Sequence, residues 1–320
     1  MGEARTAGAA AGQASEATLR VGLMGASART GLARSLQEGF AGSGVQFDCL
    51  ASVSGDAYRH ALRQADLVQI TSFDTTRYWA LPALRARLMG KPVVRYWVGT
   101  DVLNMQKDRR ERRRARLADR IVTANVVQWS NLQDELAEMN VASEVLPAPH
   151  RGIVAAPVPQ LPPKLTALTY LSVRPWKWDL YGGEVILRLA REHPEWKFLV
   201  VNHDGSGLGA PENIECVGRV RPQEMDALYR RASVLVRMTT HDGLPRMILE
   251  AMARGLHVVW SQDFPHAYQA GGYEQAERAL QEIAARNEVN TAGREYILQA
   301  FAPATVAARW RALYEELCGR

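Results

Sequence analysis

The stretch TTHDGLPRMILEAMARGLHVVWS, residues 239–261, sets two carboxylates, Asp242 and Glu250, on either side of the entry to an apolar helical run. Pro245 suits the first helical position, and Asp242 or Gly243 the position before it. Ile248, Ala251 and Met252 share one face, and Gly255 ends the run. Two chemistries fit. In the first, Asp242 is a cap and Glu250 joins Arg246 and Arg254, four residues away on either side, in a surface ladder of ion pairs. In the second, a carboxylate accepts from both hydroxyls of a ribose cis-diol, and the glycine turn lets backbone N–H groups approach a sugar. The residues alone leave both open.

Two cations could accompany the carboxylates. In SVRPWKWDLYGG, Arg174 and Lys177 directly follow an apolar run that reads as a strand. At the carboxyl edge of a sheet, arginine would grip a phosphate with its fork and lysine would add a point charge. The plainer alternative is two exposed bases beside Trp176 and Trp178. No two aspartates stand two residues apart, so clustered carboxylates for a divalent ion are missing, and no metal or cofactor is expected. Gly25 to Gly31 follow the first strand but match neither G-x-G-x-x-G nor a Gly-Lys-Ser/Thr phosphate loop. What survives there is an anion site on free N–H groups around Gly25 and Ala26, or a turn with no ligand.

The elements that must position these residues alternate. LRVGLMGASARTGLARSLQEGF (19–40) reads as strand, glycine loop and helix, and ADLVQITSF (65–73) contains a second strand. LPALRARLMGKPVVRYWVGTDVL (81–103) is a helix closed by Gly90 and then a strand, and RIVTANVVQWS is a strand followed by the helix NLQDELAEMNV. The series implies a parallel sheet covered on both faces. A proline-rich stretch, 146–164, interrupts it and holds neither helix nor central strand. Strand and helix then resume through 165–302. The predicted organisation is therefore α/β: a tail over 1–18, a Rossmann-like domain over 19–150, a linker over 151–164, a second Rossmann-like domain over 165–302, and a closing helix over 303–320. Two such sheets facing one another trap a ligand at their carboxyl edges.

Composition narrows the class. The chain has 320 residues, 47% apolar and 23% charged, in keeping with an ordinary globular protein of two domains. No apolar run is long enough to span a bilayer. Cys49, Cys216 and Cys318 show no paired spacing, which fits a reducing cytoplasm. The formal net charge is +5, and its one concentrated patch is KDRRERRRAR, 107–116. That patch is either a solvated helix face or a contact with an anionic membrane surface or an acidic substrate. It lacks the interleaved aromatics of a nucleic-acid binder, so no nucleic-acid partner is expected.

HDGLPRMILEAMARGLHVV resembles the signature of the retaining nucleotide-sugar glycosyltransferases of family four, which have the GT-B fold. GKPVVRYWVGTDVL, SNLQDELAEMNVASEVLPAP, REHPEWKFLVVNHDGS and ENIECVGRVRPQEMDALYRRASVLVRM follow in the family's order, and FAPATVAARWRALYEEL is similar to its C-terminal helix, which crosses back to the first domain. The resemblance implies two Rossmann-like domains facing across a cleft and transfer of a sugar, with retained configuration and no metal, from a nucleotide diphosphate to a hydroxyl of a glycan, lipid-linked glycan or small molecule. It implies that Glu250 holds the donor ribose and Asp242 the transferred sugar, with Gly243, Leu244 and Pro245 alongside. Arg174 and Lys177 would neutralise the diphosphate. Gly218 and Val220 would lie beside the base, Gly25 and Ala26 would face the donor, and Thr100 and Asp101 would line the acceptor side. The chain departs from the pattern at three places: Asp242 replaces the usual glutamate, Arg174 and Lys177 are closely spaced with Trp178 after them, and Val98 stands where many members carry histidine. These departures keep open a donor-binding partner subunit, and the fold alone would also suit a nucleotide-sugar epimerase or hydrolase.

Overall fold

Strands of a parallel sheet are buried on both faces and must be apolar almost throughout. The chain supplies such strands in two sets. In the computed structural model, which describes residues 18–24, 31–50, 55–71, 76–158 and 160–320, each set forms a six-stranded parallel sheet.

The first set opens with β1 (Leu19–Met24), α1 (Gly31–Gly39), β2 (Val45–Cys49), α2 (Asp56–Gln64) and β3 (Leu67–Thr71). It continues through α3 (Thr76–Leu88), β4 (Val93–Trp97), α4 (Thr100–Lys107), α5 (Arg109–Asp119), β5 (Ala124–Val127), α6 (Ser130–Glu138) and β6 (Glu144–Val145). The second comprises β7 (Thr166–Tyr170), α7 (Gly183–Glu192), β8 (Lys197–Val201), β9 (Ile214–Gly218), α8 (Met225–Tyr229) and β10 (Val234–Arg237). There follow α9 (Arg246–Ala253), β11 (His257–Trp260), β12 (Tyr268–Gln269), α10 (Tyr273–Arg286), α11 (Thr291–Ala300) and α12 (Pro303–Leu317).

The strand orders are β2-β1-β3-β4-β5-β6 and β12-β11-β10-β7-β8-β9. Each reverses direction beside its first strand, between β1 and β3 and between β7 and β10. Such a reversal leaves a crevice at the carboxyl edge, because the connections on either side run to opposite faces.

Helices cover both faces of each sheet. One face of the second sheet packs Leu228, Tyr229, Ile248, Met252 and Ile297, and the other packs Ile186, Leu189, Ala276 and Leu280. In the first, Tyr58, Leu62, Trp79, Ala83, Ala86 and Ala118 occupy one side, and Leu36, Phe40, Val306, Trp310 and Tyr314 the other. α12 thus lies on the first sheet although it follows the second in sequence. Trp310 meets Tyr96 edge to face at 5.1 Å and donates its indole N–H to the Pro147 carbonyl at 2.8 Å, while Tyr314 donates to Gln69. Truncating a buried tryptophan such as Trp310 costs about 3–5 kcal/mol.

Residues 146–158 and 160–164 form neither helix nor strand. The alternation read from sequence passes over β2 and α2: β2 is an edge strand and buries mainly Val45 and Phe47, so its apolar signal is thin. α3 begins upstream of the expected Leu81 and runs through Pro82.

Candidate active site

The second sheet's reversal places the ends of β7 and β10 side by side, with Val236 opposite Thr169. β10 finishes on Arg237, whose guanidinium grips Asp242 at 2.5 and 2.7 Å. Both side chains are largely buried. The same guanidinium lies over Tyr170 and Tyr181, 5.9 and 5.6 Å from the ring centroids. Lys177 reaches Tyr181 from another side, its Nζ 5.8 Å from the centroid, and also stands 5.0 Å over Trp176. Arg174 lies 6.0 Å over Trp176. A chain of cations and rings therefore joins Arg174 and Lys177 to Arg237 and Asp242. Arg174 and Lys177 have no carboxylate partner among the described residues, so their charges are available to an anion. Burial pushes the Tyr181 hydroxyl up and Arg237 opposes the shift, so this phenol stays protonated as a donor.

Glu250 occupies the other end of the same unit, inside α9. Pro245 proves to be the capping residue, and the helix begins at Arg246. The expected surface ladder is absent: Arg254 turns to Asp226 at 2.7 Å and Arg246 to Ser35 at 2.9 Å. Glu250 points instead towards α8 and the connector between the sheets, largely out of solvent. The Tyr229 hydroxyl donates to its Oε2 at 2.5 Å, and His150 Nε2 stands 2.5 Å from its Oε1. Burial pushes this carboxyl up, but His150, Tyr229 and Arg254 outweigh it and hold the group below the ordinary carboxylate range.

The turn between Asp242 and α9 is pressed against the first sheet's loops. A Cβ on Gly243 would come within 2.6 Å of Gln128 Oε1 and 2.7 Å of the Val98 carbonyl, so only glycine fits. Gln128 accepts from the Leu244 N–H at 3.1 Å, and Asn131 donates to the Asp242 carbonyl at 2.8 Å. His241 meets Glu135 at 2.9 Å, and Trp129 packs on Phe264 at 4.7 Å. The segment from β5 into α6 thus closes over the acidic helix entry and holds a backbone group that the sequence reading reserved for the donor.

A cavity of about 510 Å³ opens beside this cluster, lined by Gly182, Gly183, Met238, Thr239, Thr240 and Ser261. A larger one, about 720 Å³, lies between the end of α1 and α12 and is lined by none of Arg174, Lys177, Arg237, Asp242 or Glu250. The described residues contain no cluster of three His, Cys, Asp or Glu that could hold a metal ion.

Residues 182–286 match the family model Glycosyl transferases group 1. This stretch, about a third of the chain, is similar to that family. It contains Arg237, Asp242 and Glu250, while Arg174 and Lys177 lie just ahead of it. No curated protein matches the chain by sequence. Among solved structures, sucrose-phosphate synthase from Thermosynechococcus elongatus superposes with a TM-score of 0.70 at 12% identity, covering 94% of this chain and 99% of its own. HepE from Anabaena, solved with UDP and glucose, gives 0.65 at 12% identity over 93% of this chain and 100% of its own. The lipopolysaccharide outer core galactosyltransferase WaaB gives 0.64 at 12% identity over 93% and 100%. The shared architecture is the GT-B fold, two parallel sheets of Rossmann type with flanking helices.

Around the matched segment, the other expected site residues are distributed unevenly. Gly218 ends β9 with φ +75°, and Val220 packs half-buried beyond it, on the far flank of the same carboxyl edge. Gly25 and Ala26 lie outside the described residues. Thr100 is the exposed first residue of α4. Asp101 is engaged within the chain. It is 4% exposed, takes Arg95 at 3.2 Å on Oδ2, and accepts the N–H groups of Val98, Gly99 and Val102 on Oδ1. Burial raises its pKa against the pull of Arg95 and those amides. An acceptor hydroxyl would have to displace that set.

Four polar groups at this centre were not foreseen: Arg237, Tyr181, Tyr229 and His150. Arg237 left one trace in sequence, a lone charge ending the apolar run SVLVR. The other three carry no local signal, since each acts on a partner brought in by the fold.

Proposed function

We propose that the protein is a glycosyltransferase that moves a sugar from a nucleotide diphosphate to a hydroxyl acceptor with retained configuration and without a metal. One observation supports this above the rest. Two cations with no carboxylate partner among the described residues, Arg174 and Lys177, are tied through Trp176 and Tyr181 to Arg237 and Asp242 at the sheet's reversal, one helix away from the largely buried Glu250.

In this reading the diphosphate lies against Arg174, Lys177 and Arg237, with the Tyr181 hydroxyl as a further donor. Asp242 meets hydroxyls of the transferred sugar, and Glu250 exchanges His150 for the ribose diol. The bond from the anomeric carbon to the phosphate oxygen breaks with its electron pair on that oxygen. The oxygen then takes the proton of the acceptor hydroxyl, whose own oxygen bonds to the same face of the sugar. The protein supplies orientation and charge neutralisation in a water-poor gap. HepE and its complex with UDP and glucose make UDP-sugars the first donors to try.

A specific observation also favours a second reading, a donor-binding partner subunit: both acids of the pair are already satisfied within the chain, Asp242 by Arg237 and Glu250 by His150 and Tyr229. A thermal-shift screen of UDP, GDP and ADP with their sugars separates the possibilities, because ligand binding to the native state raises its melting point. A nucleotide-sugar that raises Tm and is turned over with an acceptor to a product of unchanged anomeric configuration supports the transferase. Binding without turnover across an acceptor panel supports the partner subunit, and no response to any donor removes both.

A further inference from the structure

Among the described residues nine large hydrophobic side chains are exposed, and five of them lie on α3, the turn after it, and α5. Leu81, Leu84 and Leu88 are spaced three and four residues apart, with Leu88 79% exposed, and Met89 follows. Trp79, Ala83 and Ala86, on the opposite side of α3, are buried against the sheet. Helical periodicity therefore lines the leucines into one stripe pointing away from the protein.

α5 shows the same division. Glu111, Ala115 and Ala118 are buried, and Arg109, Arg110, Arg113 and Leu117 are exposed. Ala118 packs in the cluster that holds Ala83 and Ala86, so α3 and α5 lie side by side in one layer and turn their outer surfaces the same way. Arg112 and Arg116 are tied to backbone carbonyls and Arg114 to Glu111. Arg109, Arg110, Arg113 and Arg120 have no carboxylate partner among the described residues. An apolar stripe thus adjoins a row of uncompensated arginines. Scattered surface leucines need no explanation, but a contiguous group bordered by one sign of charge marks a contact surface.

We propose that this surface docks on an anionic lipid bilayer, the leucines of α3 entering the headgroup region and the arginines of α5 meeting lipid phosphates. The pairing of chemistries selects this occupant. A second copy of the chain, meeting face to face, would set arginine against arginine. A nucleic acid would satisfy the arginines but leave the leucine stripe in water. A membrane interface accepts both, since apolar burial and attraction to anionic lipid act together there. No helix among the described residues is long and apolar enough to cross a membrane, so the contact is peripheral.

The test is sedimentation of the full chain with vesicles of phosphatidylcholine alone and of phosphatidylcholine with 30% phosphatidylglycerol. The expected result is binding to the mixed vesicles only, weakened by salt. Each arginine near such a surface adds about fivefold, so Arg110→Gln with Arg113→Gln should weaken binding about 25-fold. Leu84→Ser with Leu88→Ser should weaken it at low and high salt alike, and both pairs, being on the surface, should leave the melting temperature unchanged. The proposal is overturned if the wild type stays in the supernatant, binds neutral vesicles equally well, or is unaffected by both pairs. Self-association through this face without vesicle binding, abolished by the leucine pair, also overturns it.

Discussion

His150 Nε2 lies 2.5 Å from Glu250 Oε1, which fastens the segment joining the two sheets to the acidic residue inside α9. The contact has a structural and a functional side. It holds the connector in place and, in the proposed transferase reading, it occupies an oxygen that a ribose diol would need. The Tyr229 hydroxyl holds the other oxygen, so the carboxylate is satisfied from both flanks.

The stability of this lock should depend on pH in one direction. Glu250 titrates below the ordinary carboxylate range in the folded chain, because its hydrogen bonds outweigh its burial. A group with a lowered folded pKa stabilises the fold above its unfolded value, and that contribution disappears as pH falls through the folded one. Glu250→Gln should therefore melt below the wild type at neutral pH, by roughly 3–8 °C for a loss of about 1.5–3 kcal/mol. The gap should narrow as pH falls below the ordinary carboxylate range. A gap that persists unchanged at pH 3 would show that the charge of Glu250 is not what matters.

Arg174 and Lys177 should act on turnover and not on folding. Removing either, as Arg174→Ala or Lys177→Ala, leaves no buried charge unpaired, so melting temperature should be unchanged. Loss of one cation facing a departing diphosphate costs about 3 kcal/mol of barrier, roughly a hundredfold in kcat. Steady-state rates with a UDP-sugar donor, with and without EDTA, check both parts. Rates that collapse in EDTA would contradict cations acting in place of a metal.

Arg237 and Asp242 should prove coupled. Each neutralises the other at 2.5 Å, so removing one leaves a largely buried charge behind. Arg237→Gln and Asp242→Asn should each lower kcat/KM, and the double variant should fall short of the product of the single effects. Strict additivity in that cycle would mean that the pair does not work as a unit.

Asp101 should matter for stability and not for acceptor choice. Arg95 lies between Trp79 and Trp97, 4.8 and 4.5 Å from their rings, and Asp101 is its anion. Asp101→Asn removes the carboxylate that this buried guanidinium meets at 3.2 Å, at a cost of about 3–5 kcal/mol. A lower denaturation midpoint with an unaltered ranking of acceptors is the expected result. A changed ranking at wild-type stability would return Asp101 to the acceptor side.

What the sequence determined by itself was local. The alternation of apolar strands with amphipathic helices defined two parallel sheets, since each period is set within ten or so residues by burial on one face or both. The positions of Arg174, Lys177, Asp242 and Glu250 at the ends of strands and at a helix entry were equally legible, because glycine and proline punctuate the chain there. Partnership was not legible. Glu250 meets His150 across a separation of 100 residues and Tyr229 across 21, and Asp242 meets an arginine at the end of the preceding strand. The same local pattern was compatible with a surface ladder on Arg246 and Arg254, and nothing local pointed to Arg95 as the partner of Asp101. Only the tertiary structure decided these points, because which strands lie side by side and how the two sheets meet is settled by burial summed over the whole chain, and that sum selects the partner of each charge.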